Sequence, residues 1–105
     1  MAARRIRIRT RLRDDIVQVR AILSHVMETG FRIDPKSNDI IPANFIKKVE
    51  VFHNDLLVME CDWSRAVAKN PYIEFYLSDT KVGDEISISW VDNLHNSARE
   101  TIKIN

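Results

Sequence analysis

The side chains that could carry chemistry in this sequence are few. There is one cysteine, Cys61, and there are three histidines, His25, His53 and His95. A reactive thiol needs exposure and a positive neighbourhood that stabilises the thiolate. Cys61 instead alternates with Met59 and Trp63 on an apolar face, and its neighbours Glu60 and Asp62 oppose ionisation. It reads as a packed cysteine. The histidines are far apart, with no i, i+4 pair and no cysteine cluster, so metal-site spacing is absent. His25 stands out only because it lies at the edge of a long irregular segment. Asp14-Asp15 is an adjacent pair whose side chains point apart in a strand or turn, a poor acid–base dyad. No G-x-S-x-G, P-loop, G-x-G-x-x-G or H-E-x-x-H is present. These residues describe a binding or scaffold domain rather than an enzyme.

Charge is unevenly placed. Residues 1–20 hold seven Arg against two Asp, and the remainder holds nine basic against thirteen acidic residues. A basic leading edge therefore precedes a mildly acidic body. Five arginines alternate from Arg5 to Arg13. Such a stripe suits a solvated face, an edge strand protected by charge against aggregation, an acidic protein partner or a nucleic-acid footprint. No exposed aromatics are expected to interleave with it for base stacking, which disfavours nucleic acid.

The elements that must position these groups are strands. Arg5 to Arg13 alternates strictly, with Ile6, Ile8, Thr10 and Leu12 facing in. Asp14-Asp15 turns the chain, and residues 16–24 form a second strand with Val17, Val19, Ala21 and Leu23 inward. Ile16 and Ile22 lie on its other face, so this strand is expected to be covered on both sides. From Ser24 to Asn44 the pattern breaks at Gly30, Asp34-Pro35, Ser37-Asn38-Asp39 and Pro42. An irregular stretch of that length is unusual in a compact domain and is often functional. Phe45 to His53 resumes alternation with Phe45, Val49 and Val51 inward, and Asn54-Asp55 reads as a two-residue hairpin turn. Leu56 to Trp63 follows, with Leu57, Met59, Cys61 and Trp63 on one face. After a loop from Ser64 to Pro71, strands are expected at Tyr72–Ser78, Glu85–Val91 and Ala98–Ile104. They are separated by turns at Val82-Gly83-Asp84 and Asp92–Asn96. About seven short strands with turn signals and no helix point to an all-β, immunoglobulin-like β-sandwich. Trp63 and Trp90 are expected in its core.

Length and composition agree with this reading. The 105 residues make one domain, 1–105, with 45% hydrophobic and 30% charged residues. One cysteine forbids an intramolecular disulfide. Two glycines and three prolines exclude linker-like or collagen-like sequence. No apolar run reaches the roughly 18 residues of a membrane span. Nothing in the opening residues resembles a signal peptide.

The irregular segments also carry a resemblance. Leu23-Ser24-His25-Val26-Met27-Glu28-Thr29-Gly30 resembles the I-S-H-P-M-E-T-G signature of the SoxZ family, the Z subunits of the SoxYZ sulfur-oxidation carrier. Ile41-Pro42-Ala43-Asn44-Phe45-Ile46 resembles that family's I-P-A-x-F-I, and Lys69-Asn70-Pro71-Tyr72 its S-K-N-P-Y. Gly83-Asp84-Glu85-Ile86 through Ser89-Trp90-Val91-Asp92-Asn93 is similar to G-D-x-I followed by W-x-D-N. Val26 stands where proline is usual, Arg65 where small residues or proline are common, and Leu94-His95 where a glycine turn is expected. The resemblance implies a non-catalytic subunit with an immunoglobulin-like fold and no cofactor. It implies a heterodimer with a SoxY-like subunit, whose cysteine-bearing arm holds thiosulfate-derived sulfur, and transient contact with other Sox enzymes. It further implies a periplasmic location, reached by export with the partner; the net charge of +1 separately points to no nucleic-acid or membrane partner. Candidate contacts to that partner are Ile16, Ile22, His25, Met27, Glu28, Thr29, Asn70, Pro71 and Tyr72. Among these, Met27 is expected to act as a flexible contact. Without the partner, the apolar face is open to a second copy of the chain. The contrasting readings are a redox or sulfurtransferase protein using Cys61 and a nucleic-acid module using Arg5 to Arg13.

Overall fold

The computed structural model describes residues 6–105. Seven strands run β1 (Ile6–Arg13), β2 (Ile16–Leu23), β3 (Ile46–His53), β4 (Leu56–Asp62), β5 (Tyr72–Leu77), β6 (Glu85–Asp92) and β7 (Ser97–Lys103). Arg5, expected to open the first strand, lies outside the described residues. The strands form an antiparallel three-stranded sheet, β1-β2-β5, and an antiparallel four-stranded sheet, β4-β3-β6-β7. Three hairpins join sequence neighbours, and three longer connections cross between the sheets. This is an immunoglobulin-like sandwich without a disulfide.

Its core is the alternation made solid. Val17, Val19, Ala21 and Leu23 of β2 meet Val49 and Val51 of β3 and Ile86, Ile88 and Trp90 of β6. Each fully buried Val, Leu or Ile contributes roughly 1.5–3 kcal/mol. One inward position departs from strict alternation. Ile46 is fully buried together with Val49, three residues on, whereas Phe45 is only partly buried. A bulge between Ile46 and Lys48 opposite Asp92 and Val91 supplies the extra residue. Bulges add one residue to a strand and reset which side chains face in. A second bulge in the β3–β4 pairing, between Val51 and Phe52, leaves Val58 without an opposite residue. Trp90 is in the core as expected, while Trp63 packs against it only partly buried.

Two sets of connections gather at opposite ends. The long loop 24–44, the loop 63–71 and the turn 93–96 lie at one end, hereafter the loop end. The turns at Asp14-Asp15 and Asn54-Asp55 and the connection 78–84 lie at the other. The outer face of β2 is open in this chain, since Ile16 and Ile22 are both exposed.

Candidate functional site

The loop end is organised by residues separated widely in sequence. His25 is buried, and its Nε2 lies 3.0 Å from Asp92 Oδ2. Its Nδ1 accepts the Met27 backbone N–H at 3.0 Å, which leaves Nε2 to donate to the carboxylate. The imidazole meets the Trp90 ring edge-to-face, with centroids 5.0 Å apart. Asp92 is 1% exposed and accepts further bonds from the Leu94 and Asn96 backbone N–H groups and from Asn96 Nδ2. Burial pushes the Asp92 carboxyl up, but the bonds from His25, Asn96 and Leu94 outweigh it and hold it below the usual carboxylate range.

The next residue anchors the other end of the same loop. Asn93 Oδ1 accepts the Phe45 N–H at 2.8 Å, and its Nδ2 donates to the Ala43 carbonyl at 3.0 Å. One turn thus grips both ends of loop 24–44: Asp92 holds His25 and Asn93 holds Ala43 and Phe45. Within the loop, Glu28 and Asn44 exchange backbone hydrogen bonds, and Glu28 pairs with Arg32. Gly30 has φ +88, and a Cβ there would lie 3.0 Å from the Ala43 Cβ, so glycine suits both its backbone and its contact.

Loop 63–71 is tied to the long loop in two places. His25 N–H donates to Asn70 Oδ1, and Asn70 N–H donates back to the His25 carbonyl. Arg65 donates to the Thr29 carbonyl at 3.1 Å, with its guanidinium 5.2 Å from the Phe31 ring centroid and 6.0 Å from that of Phe45. Arg65, unusual at its place in the family pattern, acts here as a cross-link between loops. His95 adopts φ 68, the left-handed backbone that a glycine turn would supply without strain.

The predicted partner residues divide into three groups. His25, Met27 and Pro71 are buried, so they shape the loop end from within rather than presenting surface. Met27 is not the flexible exposed contact expected from sequence. It has φ 49, is 5% exposed, and its Sδ accepts the Ile46 N–H. Of eight non-glycine residues with positive φ among the described residues, six are Asn or Asp, which tolerate that region; Met27 and His95 are the others. Glu28 and Thr29 are partly buried at the loop surface. Asn70, Ile22 and Tyr72 are exposed close by, with Ile22 opposite Tyr72 in the β2–β5 register. Ile16 is not brought to this group. It stands at the far end of β2, roughly 20 Å from Ile22 at ~3.3 Å per residue.

Sequence reasoning missed the apolar side chains that this loop presents. Val26, Phe31, Ile33 and Ile40 are all exposed, Phe31 at 75%. Ile33 and Ile40 are bridged across the loop. No period marks them, because the segment is neither strand nor helix. Asp92 and Asn93 were visible in the W-x-D-N motif, but their bonds to residues tens of positions away leave no trace in spacing.

Cys61 is partly buried in β4, opposite Val49. Burial pushes its thiol up, and Asp62 adds to the effect. Glu60, expected to contribute, instead pairs with Lys48 at 3.4 Å. Among the described residues, no group of three or more His, Cys, Asp or Glu could hold a metal ion. The loop end presents exposed apolar side chains on a hydrogen-bonded frame. The family model for the sulphur oxidation protein SoxZ matches residues 6–103 of the chain. Curated proteins yield no match.

Proposed function

The chain belongs to the SoxZ family of sulphur oxidation proteins, and on that premise we propose that it is the non-catalytic half of a SoxYZ-type sulfur carrier. The partner is a SoxY-like subunit whose cysteine bears thiosulfate-derived sulfur, in a periplasmic complex. The observation that carries this reading is the loop end. The long loop is anchored to β6 by the buried His25–Asp92 bond and tied to loop 63–71 by bonds nearer the surface, and it turns Val26, Phe31, Ile33 and Ile40 outward. A pre-formed apolar surface with a polar rim is what a stable protein interface requires. Glu28, Arg32 and Lys69 supply that rim.

The division of labour follows from thiol chemistry. The thiolate is the nucleophile, and a half-buried thiol pushed up in pKa is a poor one. Sulfur transfer on Cys61 is therefore disfavoured, and the covalent step belongs to the partner.

Native mass spectrometry of the complex from its own cells tests the proposal. The expected result is a 1:1 complex with a second small chain, with sulfur-mass adducts confined to that chain. An adduct on Cys61, or a chain that never pairs, would overturn it.

A further inference from the structure

A second surface lies on the flank of the sandwich, running from the border of the loop end to the far end. The outer face of the β1-β2-β5 sheet is a grid set by register. Arg7, Ile22 and Tyr72 form one row; Arg9, Arg20 and Glu74 the next; Arg11, Gln18 and Tyr76 the third; Arg13 and Ile16 the last. Five exposed guanidiniums share this face with two carboxylates, Glu74 within the grid and Asp14 at its far corner beside Arg11 and Arg13. Glu74 is already engaged by Gln18, Tyr72 and Tyr76. None of the five arginines makes an ion pair among the described residues. Arg9 and Arg20 stand directly opposite one another, a cross-strand pairing that destabilises a sheet. Tyr72 and Tyr76 also correct the expectation that no exposed aromatics accompany the arginines.

β1 is moreover the outermost strand of its sheet. Its free edge carries backbone donors and acceptors that no described strand completes. Its arginines recur every second residue, about 6.7 Å apart. Its alternate residues Ile8 and Leu12 pack against the core but are only partly buried. We propose that this edge is a docking site for an extended polypeptide segment that alternates acidic and apolar residues and adds to β1 as an extra strand. In register, the acidic side chains meet Arg7, Arg9, Arg11 and Arg13, and the apolar ones extend the row of Ile8 and Leu12. The edge backbone completes the ladder, the pairing mode by which sheets capture extended peptides. The same charges that repel a second copy of β1 select a partner of opposite charge. A nucleic acid would satisfy the guanidiniums but neither the open ladder nor the apolar row. The β1 edge itself lies on the far side of β2 from Tyr72, and the proposal does not rest on the carrier role.

The test uses the full chain and a capped peptide Glu-Val-Glu-Val-Glu-Val-Glu, with a peptide of the same composition in block order as control. Fluorescence anisotropy is expected to show binding of the alternating peptide, weakened about tenfold or more by Arg9→Glu with Arg11→Glu and by the block order. Hydrogen exchange is expected to show new protection in β1 and none in loop 24–44. Circular dichroism and thermal melting confirm that the variant is folded. Absence of binding, equal binding of the block peptide, or indifference to the arginine variant would overturn the proposal. Tighter binding of generic duplex DNA, with affinity falling steeply with salt, would overturn it in favour of nucleic acid.

Discussion

The two ends of this sandwich each contain a histidine–aspartate pair, and the pairs do different jobs. At the loop end His25 meets Asp92 at 3.0 Å, with side chains 5% and 1% exposed. At the far end His53 meets Asp84 at 2.8 Å, and the histidine side chain is 18% exposed. The far pair sits among short turns. Asn54 and Glu85 exchange bonds there, Lys81 N–H reaches Asp84, and Ile104 N–H caps the Asp84 carbonyl. These bonds tie short connections to one another, and each connection spans few residues. The loop end must hold two long, irregular segments whose conformation no turn rule sets. It does so with a deeper carboxylate that gathers donors from three residues and a neighbouring Asn that clamps the loop's return. The long irregular loop is thus the segment held by a buried anchor.

The largest expected effect that tests this contrast is on stability. Asp92→Ala leaves the buried His25 ring and the turn N–H groups without their acceptor. It is expected to cost about 3 kcal/mol in urea unfolding. Asp84→Ala is expected to cost clearly less, and equal losses would break the comparison. Next comes partner affinity. Phe31→Asp is expected to weaken binding of the proposed cysteine-bearing subunit by about 2 kcal/mol in titration calorimetry, while Leu56→Asp at the far end leaves it unchanged. Ile22→Asp, bordering the loop end, should weaken it and Ile16→Asp should not. If Ile16 matters as much as Ile22, the interface runs the length of the sheet.

Acid stability sharpens the same comparison. The Asp92 carboxyl lies below its ordinary value in the folded chain. Its contribution is therefore fully present above the unfolded value near ~3.9 and is lost as pH falls through the lower folded value. Asp84, held down first by its bond from His53, shifts in the same direction. Urea midpoints measured from about pH 5 to about pH 2 should fall less steeply in Asp92→Asn than in the parent chain. Last and smallest, His95→Gly is expected to stabilise the chain by about 0.5 kcal/mol, because it relieves a left-handed backbone at φ 68. Destabilisation by that change would mean that the imidazole has a role of its own.

Much of the fold was legible. Strict alternation in Ile6–Arg13 and Ile16–Leu23 placed their inward faces correctly, because period-2 patterning and strand geometry are the same fact seen twice. Asn54-Asp55, at φ 50 and 68, marked its hairpin, because those residue types tolerate left-handed backbone. Ile46 was misplaced because a bulge shifts register without any residue-type signal. Met27 was misread because an apolar residue in a loop looks exposed until its packing is known.

The sequence by itself therefore determined the strands, the inward faces of β1 and β2, the turns and the absence of a disulfide, since these depend on neighbours in the chain. Its motifs also pointed to the family. Only the tertiary structure decided that Asp92 and Asn93 close loop 24–44, that Arg65 bridges two loops, and that Ile22 and Ile16 lie apart. It alone brought two tyrosines onto the arginine face. Each of those facts joins residues distant in sequence, and such contacts are selected by packing and hydrogen-bond satisfaction across the whole core, which local periodicity does not record.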